Sequence, residues 1–325
     1  MPVSGEPVMP VAVRVTGLSK RYQASGGFLL SPRAVVHALQ PLSLDVAQGE
    51  TLGIVGESGC GKSTLARMLA GLLAPSSGHI EFHGKPLNAI ASRKLGMTVQ
   101  YVFQDPLSSL NPRKTIRQVL EAPLRFLHCL EDAAISARIA GLLNSVNLDQ
   151  GVLTRYPHEF SGGQAQRIVI ARALAADPQV LVLDEPVSAL DVSVQAQVLN
   201  LLSSLKSRMD LTYLFISHDL AVIEAVSDRI AVLYFGHLVE LGLSRAVLAR
   251  PLHPYTKLLS DSAPKSGRRI PSARADELPD PLNPPPGCPF SRRCPSATDL
   301  CHRKMPIIRE LEKDRAVACH HPLIH

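Results

Sequence analysis

The sequence predicts an α/β fold: a mainly parallel sheet alternating with helices, joined by an antiparallel β part, a helical insertion and a small Cys-rich extension. Three observations carry this. Short apolar runs at Thr51–Val55, Val180–Leu183 and Leu211–Ser217 have the length and composition of strands buried on both faces. Helical spacing follows the first two, over Lys62–Leu73 and Val192–Lys206, which is the alternation of a parallel sheet. Between them, residues 105–175 turn wholly helical in period, as an insertion into that core would.

Taken in order, Val11, Val13 and Val15 alternate with Ala12 and Arg14, and Leu42, Leu44 and Val46 repeat the period of a half-buried strand. In the helix after Val55, Leu65, Met68, Leu69 and Leu72 fall on one face. Gly78 and Gly84 bracket a short strand. The insertion reads as helices over Ile116–Leu127, Ala133–Val146 and Gly163–Ala176. Ile230–Tyr234 and His237–Leu241 form a hairpin through Gly236. Near residue 250 the composition shifts to a Pro-rich connector, with Pro251, Pro254, Pro264, Pro271 and Pro284–Pro286. This divides the chain into a domain over 1–250, with the helical part at about 105–175, and an extension over 251–325. No repeat of fixed period is present, so a solenoid is not expected.

At 325 residues and 46% apolar content the chain can bury a substantial core. The formal net charge of +6 is spread along the sequence. It suits contact with phosphates or a membrane-facing partner and does not call for nucleic acid. There is no Trp and only 4% aromatic content, which argues against a base-stacking platform. No apolar run reaches the roughly 18 residues of a membrane span. The start lacks a basic segment followed by an apolar core. A cytosolic chain is expected, meeting a membrane through partners. In that reducing setting the six Cys are poor disulfide candidates. Cys129 reads as a small buried apolar residue. Cys60 lies in the glycine-rich loop described next, at a position that loop leaves unspecified.

The chemistry starts at Gly56-Glu57-Ser58-Gly59-Cys60-Gly61-Lys62-Ser63, a match to G-x-x-x-x-G-K-[ST] between a strand and a helix. Gly56, Gly59 and Gly61 let the backbone wrap a phosphate closely. The N–H groups there and at the helix start present positive partial charge. Lys62 adds a full charge at the β/γ-phosphates and Ser63 a hydroxyl for Mg²⁺. The strand Val180–Leu183 ends in Asp184 and Glu185. Asp184 is placed to reach the Mg²⁺ shell, and Glu185 to orient or deprotonate a water beside the γ-phosphate.

Phe160-Ser161-Gly162-Gly163-Gln164, at a helix start before the acidic strand, resembles the ABC signature sequence, with Phe where Leu is commonest. Further pieces follow the order of that family between residues 22 and 218. Tyr22, after Leu18-Ser19-Lys20-Arg21, looks like the adenine-stacking aromatic, or else is a half-buried strand-end residue. Gln104, after Tyr101-Val102-Phe103, looks like the Q-loop glutamine, implied as a catalytic and Mg²⁺-site residue. Ser188-Ala189-Leu190-Asp191 resembles the D-loop. His218, after Phe215-Ile216-Ser217, resembles the switch histidine that senses the γ-phosphate, or else is a satisfied strand-end histidine. The resemblance is to an ABC transporter nucleotide-binding subunit. It implies a P-loop ABC-ATPase core binding ATP and Mg²⁺ through Ser58, Thr64 and the residues above. It also implies a head-to-tail dimer with ATP sandwiched between one chain's P-loop and the other's signature motif, so that Ser161, with Gly162, Gly163 and Gln164, serves the partner's ATP, and it implies Asp191 as a further nucleotide-binding residue.

Longer phrases narrow the likeness: Gln104-Asp105-Pro106, Tyr156-Pro157-His158-Glu159-Phe160, Pro186-Val187-Ser188 and His253-Pro254-Tyr255-Thr256 resemble the ATPase subunits of oligopeptide, dipeptide and nickel importers. Ala165 departs from the Arg usual after Gln164, outside the phosphate-contacting residues. The implied partners are two transmembrane permease subunits, a paralogous ATPase or a second copy, and indirectly an extracytoplasmic solute-binding protein. The implied place is the cytoplasmic face of the cell membrane. The rival readings are a soluble ATPase of an enzyme complex like carbon–phosphorus lyase, and an ABC ATPase acting on DNA or ribosomes. The extension and the single ATPase unit speak against them.

The spacing Cys288-x5-Cys294-x6-Cys301-x17-Cys319 fits neither common zinc nor common ferredoxin patterns. The surrounding Gly287-Cys288-Pro289-Phe290, Arg293-Cys294-Pro295 and Ala318-Cys319-His320 resemble the C-terminal extension of peptide-importer ATPases, some of which hold a [4Fe–4S] cluster on four Cys. The resemblance implies these four as ligands. A zinc site using His302, His320 or His321, and a tail that binds nothing, stay open.

Overall fold

The structure is a computed structural model describing residues 10–23, 35–262 and 279–323; residues 263–278 of the expected connector lie outside them. Strands β1 (Val11–Gln23) and β2 (Val35–Ala47) pair antiparallel, with Val15 opposite Leu44 and Tyr22 opposite Val36. The next strand, β3 (Thr51–Val55), starts a second sheet. After it, β4 (Ser77–Phe82) and β5 (Lys85–Pro86) complete the first sheet in the order β2-β1-β4-β5. The second sheet continues with β6 (Val99–Val102), β7 (Val180–Asp184), β8 (Thr212–Ile216), β9 (Arg229–Tyr234), β10 (His237–Leu243), β11 (Arg309–Glu312) and β12 (Arg315–Val317), in the order β11-β12-β10-β9-β3-β8-β7-β6. Strands β9, β3, β8, β7 and β6 run parallel, and β10, β12 and β11 extend the sheet antiparallel.

Helices are α1 (Lys62–Leu69), α2 (Ser92–Thr98), α3 (Ile116–His128), α4 (Asp132–Ser145), α5 (Gly162–Leu174), α6 (Val192–Met209), α7 (Leu220–Val226), α8 (Ser244–Ala249), α9 (Pro254–Ser262) and α10 (Asp299–Arg303). The two-residue period of the strands sends alternate side chains to two cores. Val180, Val182, Leu214 and Ile216 face α1 and the antiparallel sheet, packing with Leu65, Met68, Val13 and Leu42. Leu181, Leu183, Tyr213 and Phe215 face the other way, into the core shared with α3, α4 and α5. Helix α3 begins on a reciprocal cap between Thr115 and Gln118, which satisfies two otherwise orphaned N–H groups. Among the described residues no helix is long and apolar enough to cross a membrane.

The expected hairpin turns on Phe235 and Gly236, both at positive φ, the two-residue geometry that matches strand twist. Two expectations are corrected. Leu72 does not join the buried face of α1 but is 58% exposed. Gly71, at φ 71°, ends the helix early: its N–H reaches the Met68 carbonyl and that of Leu72 the Arg67 carbonyl. Cys129 is exposed rather than buried, because it sits at the left-handed C-cap of α3.

Candidate functional site

Because β3, β6, β7 and β8 are parallel, their carboxyl ends share one edge, where α/β sheets bind ligands. The loop after β3, Gln104 after β6, Asp184 and Glu185 at the end of β7, and His218 after β8 all arrive there. A cleft of ≈ 450 Å³ is lined by Ser58, Gly59, Gly61, Lys62, Ser63, Thr64, Gln104, Glu185 and His218 with Ala38. Gly56 and Gly61 are sterically required. A Cβ on Gly61, at φ 102°, would lie 2.4 Å from the Ala38 carbonyl oxygen, and one on Gly56 would lie 2.1 Å from that of Leu233.

Lys62 is 5% exposed and its ammonium donates to the Gly56 carbonyl at 2.7 Å and the Glu57 carbonyl at 2.9 Å. The Ser63 hydroxyl lies 3.3 Å from Asp184 Oδ1, and the Tyr101 hydroxyl donates to Asp184 Oδ2 at 2.5 Å. Burial pushes the Tyr101 phenol well above its usual range, so it stays a donor. Glu185 is the hub of the edge: Gln104 Nε2 donates to its Oε2 at 3.0 Å, and His218 Nδ1 lies 3.2 Å from its Oε1. Its backbone is left-handed at φ 49°, a conformation costing about 1–3 kcal/mol in a non-glycine residue. The Glu185 N–H on the Ile216 carbonyl, at 3.0 Å, holds it there.

Other expected residues stand apart from the cleft. Tyr22 is 41% exposed near the end of β1, with Lys20 Nζ 5.3 Å from its ring centre. Ser161 caps α5 reciprocally with Gln164. Asp191 caps α6, accepting from the Ser193 hydroxyl at 2.6 Å and the Val194 N–H at 3.0 Å, bonds that hold its carboxyl below the usual range. Gly163 lets the two helix starts touch: a Cβ there would lie 2.4 Å from Val194 Cγ1. Ser161, Gly162, Gly163, Gln164 and Asp191 are absent from the cleft lining of their own chain.

In the extension, Cys288, Cys294, Cys301 and Cys319 line one small cavity with His253, His320 and His321. All are free thiols, and burial pushes Cys288 and Cys319 up to about 11. Among the described residues no three His, Cys, Asp or Glu side chains are arranged to hold a single metal ion.

Several residues of the site were missed in the sequence. In the sequence Tyr101 is only a flank of Gln104, with no motif of its own. Glu57 occupies an unspecified loop position, yet its carboxylate takes both terminal nitrogens of Arg293 at 2.8 Å. Its N–H donates to the Tyr255 hydroxyl at 2.9 Å. No sequence signal links residues so far apart in the chain.

A glycine-rich loop after β3 beside the acid-ended strand β7, with the capped start of α5 outside that cleft, is the plan of an ABC-type ATPase. Residues 39–188 match the ABC transporter family model, and residues 239–301 match the oligopeptide/dipeptide transporter C-terminal region. A putative peptide import ATP-binding protein of Brucella abortus (strain 2308) is 50% identical over 293 residues, covering 89% of this chain and 87% of that one. The oligopeptide transport ATP-binding protein OppF of Escherichia coli (strain K12) is 43% identical over 309 residues, 92% of each. Among solved structures, a dimeric post-hydrolysis state of the ATP-binding cassette MJ0796 bound to ADP and Pi matches with TM-score 0.63 at 27% identity, over 72% of this chain and 99% of that one. The chain belongs to the ABC transporter family, among the ATP-binding proteins that carry the oligopeptide/dipeptide C-terminal region. It is an ATPase.

Proposed function

We propose that this chain is the ATP-hydrolysing subunit of an importer for peptides or a related solute, working at the cytoplasmic face of the cell membrane. The observation that carries the solute class is the transporter C-terminal region at residues 239–301, which also weighs against a soluble enzyme-complex subunit. Two permease subunits and a second ATPase, paralogous or identical, complete the assembly. An extracytoplasmic solute-binding protein acts through them.

The chemistry is supported by the cleft. The triphosphate lies along the loop from Gly56 to Thr64, and Lys62 exchanges its two loop carbonyls for phosphate oxygens. The hydroxyl of Ser63 and the carboxylate of Asp184 converge as hard oxygen donors that fit Mg²⁺, with Gln104 beside them. Bound there, Mg²⁺ would neutralise phosphate charge. Glu185 takes the proton of the attacking water, Gln104 and His218 hold its carboxylate in place, and His218 reads the γ-phosphate. Ser161, Gly162, Gly163, Gln164 and Asp191 do not line their own cleft, which supports their serving the ATP bound by the partner in a head-to-tail dimer. Tyr22 stacks on the adenine.

For the extension, four convergent thiols are a soft donor set. Because all four line one cavity, we take Cys288, Cys294, Cys301 and Cys319 as [4Fe–4S] ligands, although among the described residues no group is arranged to hold a metal ion. Iron, zinc and visible absorption of anaerobically purified chain decide this, and a metal-free chain would sink it. Affinity isolation from detergent-solubilised membranes tests the importer reading. Two multi-span chains and a second ATPase should co-purify. Recovery with soluble enzymes alone would refute it.

A further inference from the structure

The C-terminal extension reaches the phosphate loop itself. Arg293 lies next to Cys294, and its guanidinium grips Glu57 with a two-pronged contact, both nitrogens at 2.8 Å. The side chains are 13% and 27% exposed, so the pair is only partly screened. The Arg293 terminal nitrogen NH1 also lies 3.4 Å from the Tyr234 hydroxyl, and the guanidinium sits 5.7 Å from the Phe290 ring centre. Tyr234, Tyr255 and Phe290 form a buried aromatic seat beneath it, with ring centres 4.5 to 5.5 Å apart. The Arg293 Nε is buried without a partner, so this position serves the Glu57 contact at the expense of a fully satisfied guanidinium.

Glu57 is thereby fixed at three points. Its N–H is held by Tyr255, its carbonyl by Lys62 and its carboxylate by Arg293. Only the Lys62 contact is given up when phosphate arrives. The other two, both from beyond residue 250, keep the loop in shape while Lys62 moves. The carboxylate matters for a second reason: an unpaired negative charge in a loop that accepts a polyphosphate repels it. Drawn toward Arg293, Glu57 does not line the cleft.

We propose that Arg293 is a positioning residue of the nucleotide site, neutralising Glu57 and bracing the phosphate loop so that the seating of the C-terminal extension sets part of the ATP affinity. The inference rests on the cleft being the ATP site. Because coupling is reciprocal, nucleotide also favours the seated extension.

The test is a double-mutant cycle on the full chain, titrated with a non-hydrolysable ATP analogue and Mg²⁺. Arg293→Ala should weaken binding about tenfold, toward the lower end of typical coupling between linked sites. Glu57→Gln combined with Arg293→Ala should recover most of that loss, because the repelling charge is gone. Arg293→Lys, which keeps the charge without the fork, should fall between wild type and Arg293→Ala, and it replaces Arg293→Ala should that variant not fold. Unchanged affinity in Arg293→Ala overturns the inference. So does a loss that Glu57→Gln fails to relieve, since that would mark a purely structural role. A wild-type chain that binds no analogue would instead overturn the nucleotide-site reading beneath it.

Discussion

Replacing Glu185 by Gln isolates the chemistry of the cleft from its geometry. The amide keeps an oxygen for Gln104 Nε2, now at 3.0 Å from the carboxylate, and keeps the size that fits the left-handed backbone at φ 49°. What it removes is the proton acceptor. A positioned general base contributes about 10²–10⁴ in rate. That corresponds to about 2.7–5.5 kcal/mol on the barrier. The hydrolysis rate of Glu185→Gln should therefore fall at least a hundredfold. ATP affinity should hold or improve, since one negative charge leaves the γ-phosphate side of the cleft. Single-turnover hydrolysis beside equilibrium nucleotide binding separates the two. A rate within tenfold of wild type, or a loss confined to affinity, would refute the assignment of Glu185 as base and leave it a scaffold for Gln104 and His218.

Lys62→Ala should weaken nucleotide binding about 10- to 100-fold, the worth of one hydrogen bond to a charged group, and equal affinity would remove the loop from phosphate binding. Arg315→Ala strands the carboxylate of Glu240, which is fully buried and holds Arg315 at 2.9 Å and the N–H groups of Leu252 and His253. Chemical denaturation should show a loss of about 3–5 kcal/mol, and a loss below about 1 kcal/mol would mean the pair is not closed in solution. His253 is 1% exposed, and burial pushes its imidazole down to about 3, against about 6.5 unfolded. The unfolded chain thus takes a proton that the folded chain refuses, so stability is full above pH 6.5 and declines as pH falls toward 3. The slope is about 1.4 kcal/mol per pH unit, or about 2 kcal/mol by pH 5. Thermal melts of His253→Gln should lose that part of the acid slope, and parallel slopes in the two proteins would contradict it.

The parallel sheet and its ligand edge were legible because each element there is local: an apolar strand followed at once by its polar group, as in Val55 to Gly56 or Leu183 to Asp184. The hairpin through Gly236 was legible for the same reason. Where the reading failed, a backbone feature overrode the side-chain pattern. Gly71 cut the helix before Leu72, and a left-handed cap turned Cys129 outward. The grip of Arg293 on Glu57 was out of reach for another reason. It spans 236 positions and depends on the extension folding back over the Tyr234 and Tyr255 rings, which no periodicity announces.

The contact between Gly163 and Val194 constrains how this molecule can move. With no Cβ at Gly163, the first turn of α5 packs closely against Val194 in the first turn of α6, and a Cβ on Gly162 would lie 3.1 Å from Leu190 Cδ2 in the preceding loop. Ser161 and Asp191 each cap one of those two turns. Two helix starts in such close contact cannot slide past each other without a clash, so a tilt of the insertion carries Asp191 with it. In the head-to-tail dimer proposed above, a tilt of the insertion would therefore reach Ser161 and Asp191 together.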